Sequence, residues 1–510
     1  MRKHNFKVRL LSFIALCGIV MMFTACSNED VAQGSVETNT ANNDNLTTFV
    51  TGNPATRTSL NYDDGAFFWE SGDYIYVKDD NGTWHKSSNA PTEKTASFKF
   101  KVPGKYTDHT SYKVYYPGKQ GINNNVTISA TQLQKTPNST AHIGEAGDCG
   151  TADATGGNGV FNFRLDHQAA ILVFQPFTEN DAVKNCYLTK IEVTSDNDIT
   201  DTYTLDTTSG QLTGSGSGKT ITVTTKGDGS YAQGFPLKTS AANVATNGTY
   251  VVIRPGTHAL TVRYWIKDYV TQVEGAVTKT YPAFDYEKND YYDMTANLNV
   301  TDYDGRKYYM WDAKYNYWNG HEWNSADPLQ PVLKGGTYTK TGDDNFYNNE
   351  RPGGSKAAMY SCIDLPSANV MAWYVKEGDP HWDGGEVWTT MGHLYKGGMW
   401  FKKKLYIPQF SATKAPNPIN TDIASSFSDY TLNANPAQGT PTAKALYFFV
   451  PALGQYSVYS FGGLGTDGYY WTSSGSNEDS NWAYFLQFNS SNVTLSSDGS
   501  ESGRYVMRFN

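Results

Sequence analysis

The sequence predicts a mainly β protein: two tandem β-sandwiches followed by an α+β module. Three observations carry this. Aromatic residues make up 14% of the 510 positions, with 36 Tyr and 12 Trp in a background rich in Thr, Ser, Asn and Gly, the composition of a β-rich extracellular surface. Short β-prone runs alternate with turn residues along most of the chain. Helical periodicity appears clearly in one stretch, near residue 370.

The first 25 residues read as a secretory signal. A basic start (Arg2, Lys3, His4, Lys7, Arg9) precedes an apolar run from Leu10 to Phe23, and the small-residue cleavage site Phe23-Thr24-Ala25 ends on Cys26. This resembles the lipobox of bacterial lipoproteins, with Phe23 where Leu is commoner. The resemblance implies cleavage before Cys26 and acylation of that cysteine, palmitate being the type of chain expected. The polar stretch 26–46 cannot bury a core and is expected to be a flexible linker. Its acids, in Ser27-Asn28-Glu29-Asp30, resemble the tract that sends lipoproteins of Bacteroides-like bacteria to the outer face of the outer membrane. No later apolar run is long enough for a membrane-spanning helix. A net charge of −9 argues against a nucleic-acid partner, which would need clustered Lys and Arg. Of five cysteines, Cys17 leaves with the signal and Cys26 carries lipid; Cys149, Cys186 and Cys362 form neither a disulfide framework nor a zinc spacing. Whether Cys149 and Cys186 pair is left open by the sequence.

Residues 47–166 form the first β unit. Phe67-Phe68-Trp69 and Tyr74–Val77 are strand runs, and Asp80-Asn81-Gly82 is a hairpin turn leading into Thr83-Trp84. Further strands are expected at Ala96–Val102, Ser111–Tyr116, Val126–Ile128 and Val160–Leu165. The second unit, 167–300, opens with Ala169–Phe174, a continuous apolar run suited to a strand buried on both faces. It continues through Leu188–Thr194, Thr202–Leu205, Thr220–Thr224, Tyr250–Ile253, Ala259–Ile266 and Tyr291–Val300, with turn residues between them, as in a sandwich. The third, 301–510, is aromatic-rich and α+β. Ser367 caps a helix over Ala368–Lys376 that Gly378 stops, and Thr421–Tyr430 is a second short helix. Its strands are expected at Ala445–Val450, Gly468–Ser473, Trp482–Asn489, Asn492–Leu495 and Arg504–Phe509.

Several of these segments carry a family resemblance. Ala55-Thr56-Arg57-Thr58-Ser59-Leu60, Phe68-Trp69 and Gly72–Val77, then Leu165–Leu172 and the closing Tyr292–Val300, together resemble fimbrillin-like pilins of Bacteroidales over about 47–300. Tyr447–Gly454, Gly468–Ser474, Ala483–Phe488 and Arg504–Arg508 resemble the "major paralogous" domain of Bacteroidetes surface proteins, itself similar to C-type lectin-like folds. The resemblance implies two transthyretin-like β-sandwich pilin domains and a lectin-like adhesin module. It also implies a trypsin-like protease that removes the first strand after an arginine, opening a groove for a strand from another pilin subunit. That is strand addition to an open sheet, with affinity from main-chain hydrogen bonds. Arg57 is the lone arginine between the signal and Arg164 and follows a Gly52-Asn53-Pro54 turn, so the Arg57–Thr58 bond is the expected cut.

A chain with some 210 residues (301 to 510) after its second pilin domain has no free terminal strand to donate. It is therefore expected to be a tip or accessory tip subunit, displayed on the fimbrium and outer membrane, that mediates adhesion to a glycan or protein ligand. Candidate ligand-facing residues are Trp382, Asp383, Trp388, Asn477, Asp479 and Trp482, because aromatic faces stack on sugar rings, Asn and Asp hydrogen-bond hydroxyls, and polar loops on a rigid scaffold carry binding. Calcium would fit a lectin analogy through Glu478, Asp479, Asp498 or Glu501, but the EPN and WND tripeptides of calcium-dependent lectins are missing. No cofactor or metal is expected. Nor is an enzyme: GxSxG, HExxH and P-loop motifs do not occur, and Cys362 stands alone where formylglycine-generating oxidases of similar fold use paired cysteines. The alternative reading is a glycan-binding surface lipoprotein outside any pilus.

Overall fold

The computed structural model describes residues 2–5, 46–51, 59–62, 67–330, 342–349, 356–425, 430–457 and 460–509. Cys26, nearly all of the 26–46 linker, Arg57 and Thr58 lie outside them. The fold is mainly β, with 45% strand and 8% helix, as the alternation of short runs and turns predicts.

The N-terminal sheet wraps around an aromatic core that includes Phe49, Trp69, Phe100, Tyr112, Tyr116 and Phe161. Its eight strands include Leu46–Thr51, which is interior to the sheet: it runs parallel to Val160–Asn162 and antiparallel to Phe98–Pro103. The hairpin at Asn81-Gly82 forms as expected, pairing Tyr76–Lys78 with Trp84–Lys86; Gly82 has φ 80°, the left-handed conformation such turns assign to glycine.

Two sheets pack face to face around the central core. In one, Ala170–Phe177 runs parallel to Asp290–Asn297 and antiparallel to Thr249–Ile253. Residues 170–174 are wholly buried, as the continuous apolar run predicts. Arg2–Asn5 adds a further strand on the outer edge of Asp290–Asn297, where Lys3 pairs with Glu287 and Asp290. The other sheet contains Tyr187–Ser195, Thr220–Thr225, Gly256–Lys267 and Glu274–Tyr286.

Residues between the N-terminal strands Ser111–Tyr116 and Gly150–Gly157 cross to this central part. Asn125–Ile128 pairs with Asp201–Leu205, and Thr131–Gln134 runs parallel to Thr220–Thr225. Gln132 and Gln134 then act as side-chain substitutes for a neighbouring strand. The Gln132 amide donates to Val252 O (2.9 Å) and accepts from Val252 N (3.1 Å). Gln134 donates to Gly248 O and accepts from Tyr250 N, both at 2.8 Å. The outer edge of Thr249–Ile253 is thus satisfied by amide side chains.

Among its described residues, the C-terminal part has two sheets and one α-helix. The helix Ala368–Glu377 forms where expected. Ser367 accepts from Val370 N at its N-terminus, and Met371, Ala372, Tyr374 and Val375 face the core. Of the helix expected over 421–430, the described residues show a 3-10 turn, Ile423–Ser425, held by Asp422 accepting from Ala424 N and Ser425 Oγ; 426–429 lie outside the described residues. A short Asx-type turn satisfies these backbone groups locally. The last strand is short, Arg504–Tyr505, hydrogen-bonded between Tyr308–Tyr309 and Gly468–Gly475.

This part docks on the central sheets through the turn between His381–Thr390 and His393–Lys402. Leu394 is fully buried in the central core. Buried Asp268 accepts from Leu394 N (3.1 Å) and from the His393 ring (3.0 Å), and Thr271 Oγ1 donates to Leu394 O. Burial alone would raise the Asp268 carboxyl, but hydrogen bonds from the Val270 and Leu394 backbone and from His393 outweigh it and hold the carboxyl below its ordinary value. A depressed carboxyl contributes stability that is full above the unfolded value of about 3.9 and is lost as pH falls through the lower folded value. Asp268→Ala orphans three backbone N–H groups, those of Val270, Thr271 and Leu394, and should cost about 1–3 kcal/mol at pH 7. Thermal unfolding followed from pH 7 to pH 3 should show a smaller acid-induced loss in that variant than in the native chain.

Candidate functional site

The strand before the expected cut is a structural part of the N-terminal core. Phe49 is wholly buried, stacked on Phe161 at 5.4 Å between ring centroids and edge-on to Tyr106 at 5.1 Å. Thr51 Oγ1 accepts from Trp69 Nε1 (2.9 Å) and from Phe98 N (3.0 Å). Alternation puts Phe49 and Thr51 inward while Thr48 and Val50 are half-buried. Removal of Leu46–Thr51 would leave Val160–Asn162 and Phe98–Pro103 with facing, unpaired backbone edges over an aromatic trough. The chain resumes at Ser59, pairing with Phe68, and Tyr62 hydrogen-bonds Asp293 Oδ1 at 2.8 Å on the central sheets. The stretch just after Thr58 is therefore anchored independently of Leu46–Thr51.

The candidate ligand residues fall into two groups on different sheets. Trp382, Asp383 and Trp388 belong to His381–Thr390. Trp388 is wholly buried and donates from Nε1 to Gly397 O (2.9 Å). Asp383 is buried and ties its own strand turn together, accepting from Gly385 N, Glu386 N, Trp400 Nε1 and Thr440 Oγ1. The carboxyl is held below its ordinary value because these donors outweigh the burial that would raise it. Trp382 is half-buried across Gly397, where a Cβ would meet the indole at 3.3 Å. The second group surrounds the turn before Trp482–Phe488. Asn477 donates to Ile423 O (3.0 Å), Asp479 Oδ1 accepts from Asn481 N (2.7 Å), and Trp482 is 40% exposed. Of the six, Trp482 offers the most ring surface to solvent.

A cleft of about 740 Å³ lies along the 117–148 crossing segment. Lys119, Lys135, Glu70 and Glu145 line it together with hydroxyl side chains and His142, with no Phe, Tyr or Trp. His142 at its wall is pushed down to about 4 by burial and hydrogen-bonds Tyr250 O at 3.1 Å. Sequence reading passed over this wall, since nothing in the local pattern marks residues 117–148 as reaching the central sheets.

Cys149, Cys186 and Cys362 are free and buried. Cys149 and Cys186, whose pairing the sequence leaves open, sit in separate apolar clusters. Burial pushes all three thiols up, Cys186 to about 12, so they remain protonated and unreactive. Among the described residues, no group of three or more His, Cys, Asp or Glu could hold a metal ion.

No family model matches the chain, and no curated protein matches it. Solved structures similar to it include a candidate cell adhesion protein from Bacteroides ovatus, at 14% identity over 50% of this chain and 93% of that one, with a TM-score of 0.31. A fimbrial protein from Bacteroides ovatus aligns over 90% of this chain and 98% of its own at 11% identity and a TM-score of 0.25. The fimbrial anchor protein Mfa2 from Porphyromonas gingivalis aligns at 9% identity over 46% and 82% of the two chains, with a TM-score of 0.22.

Proposed function

We propose that this chain is the lipid-anchored precursor of a fimbrial tip or accessory subunit, assembled by strand addition and adhesive through its C-terminal part. The observation that carries the reading is the place of Leu46–Thr51. It is an interior strand, so loss of the segment ahead of Thr58 exposes two backbone edges and an apolar trough at once, the two things an incoming strand needs. Acylated Cys26 holds the precursor at the outer membrane until the Arg57–Thr58 bond is cut. Two further features agree. Arg504–Tyr505 is paired on both sides and is no free donor. Loss of the signal also vacates the outer edge of Asp290–Asn297, while Gln132 and Gln134 keep the opposite edge of that sheet closed. One sheet edge therefore accepts and the other does not.

The test is the mature N-terminus together with polymer growth. Arg-specific proteolysis of the purified precursor should yield Thr58 as the new N-terminus, and the cut protein should cap stalk-pilin polymers at one end. Growth from both ends of the protein would exclude the tip role. A surface form that keeps lipidated Cys26 and the strand Leu46–Thr51 would instead identify a glycan-binding lipoprotein outside a pilus.

A further inference from the structure

A small cleft in the C-terminal part, about 90 Å³, has a chemistry distinct from both groups of candidate ligand residues. Three rings, Phe346, Tyr347 and Tyr360, stand in an otherwise mainly polar lining. Phe346 and Tyr347 meet with ring centroids 4.4 Å apart and planes tilted by 32°. Tyr360, also in the lining, is 41% exposed, with Lys314 Nζ 5.5 Å from its ring centre. Lys314 also donates to Asp344 Oδ1 at 3.1 Å.

The base of the cleft is rigid. Wholly buried Asp312, at φ 55°, accepts from Asn348 Nδ2 (2.9 Å), Met359 N (2.7 Å), Tyr360 N (2.6 Å) and Cys362 N (3.3 Å). One carboxylate thus fixes both the 342–349 loop and the segment bearing Tyr360. Tyr347 Oη donates to Asn481 Oδ1 at 3.3 Å, linking the cleft to the turn that ends at Trp482.

We propose that this cleft binds one pyranose ring of a neutral glycan. The proposal rests on the adhesive reading above and names its ligand class. Tyrosine and phenylalanine faces pack against the C–H face of a sugar, and carboxylate, amide and ammonium groups at the rim hydrogen-bond its hydroxyls. The volume is well below the roughly 300–1,000 Å³ of sites that enclose a ligand, so the cleft takes one face of a ring and leaves the rest of that sugar and of the glycan in solvent. Charge decides the type of sugar. Three carboxylates (Asp312, Asp343 and Asp344) line the cleft against one ammonium (Lys314), which disfavours sialic, uronic and sulfated residues.

The full chain, tested on an array of neutral oligosaccharides and their sialylated and sulfated counterparts, should bind neutral members. Tyr360→Ala and Tyr347→Ala should each weaken that binding about tenfold, and Tyr360→Phe should retain it. Near-ultraviolet circular dichroism establishes that each variant keeps its fold. Neutral-glycan binding that survives both tyrosine-to-alanine changes would overturn the cleft while leaving an adhesive C-terminal part. Preference for sialylated or sulfated members, or binding to no glycan at all, would also overturn it. Capping of stalk polymers, measured on the same preparations, reports on the fimbrial reading separately.

Discussion

Replacing Phe49 by alanine should destabilise the N-terminal core by about 3–5 kcal/mol, the usual cost of emptying a buried aromatic site. Phe49 is wholly buried between Phe161 and the edges of Tyr106 and Tyr112, and those rings belong to other parts of the sheet, so collapse into the hole is restricted. Urea titration of the uncut chain should show the first transition moving to lower denaturant with the later one unchanged. The same variant separates structural from assembly roles. After cutting at Arg57, the fragment that ends at Arg57 should leave faster when it carries alanine, because the trough holds it less tightly. An incoming pilin strand, which brings its own side chain to that site, should then fill the groove sooner. If the fragment dissociates at the same rate with either residue, Phe49 is not what holds the strand in place.

Asp312→Ala should be the most damaging single change in the C-terminal part, at about 3 kcal/mol or more. The substitution removes four accepted hydrogen bonds at once and leaves the backbone N–H groups of Met359, Tyr360 and Cys362 without this acceptor, that of Cys362 in a buried setting. It also places alanine at a left-handed φ of 55°, a conformation that aspartate, with its short polar side chain, adopts more readily. Asp312→Asn keeps one acceptor and should lose less. Hydrogen exchange should locate the damage, with amides of 359–362 losing protection first and those of the helix Ala368–Glu377 later. Equal loss across both segments would mean that Asp312 supports the whole part rather than this corner.

Local signals in the sequence were well expressed in the fold. Ser367 before an apolar stripe and Gly378 after it define the helix, because capping and amphipathicity are decided within a few residues. The apolar run at 169–174 became a strand buried on both faces for the same reason: no solvent-facing alternation occurs in it. Non-local pairings were not legible. Val126–Ile128 reads as a strand of the first unit by proximity, yet Asn125–Ile128 pairs with Asp201–Leu205 some 75 residues on, and only the three-dimensional register shows it. Aromatic residues posed the same problem at the candidate site. Trp388 and Trp482 both sit in β-prone, aromatic-rich stretches, but one is wholly buried and the other 40% exposed, because in these sheets both strand faces carry rings and alternation no longer marks the outside. Asp312 was invisible for another reason. Its role depends on backbone groups about 50 residues away, and a lone aspartate after Met310-Trp311 gives no hint of them.

The Leu394 contact also has a mechanical meaning. Past residue 300 the chain could have hung from the central sheets by one covalent strand, free to swivel. Instead, Leu394 is seated in the central core, Asp268 grips the same turn, and Asn180 reaches Thr389 Oγ1 at 2.8 Å. Two attachments separated in sequence, one covalent and one packed, resist torque where one would act as a hinge. Load applied to the C-terminal surface is then shared between the main chain and a buried side chain, and the protein transmits direction as well as tension.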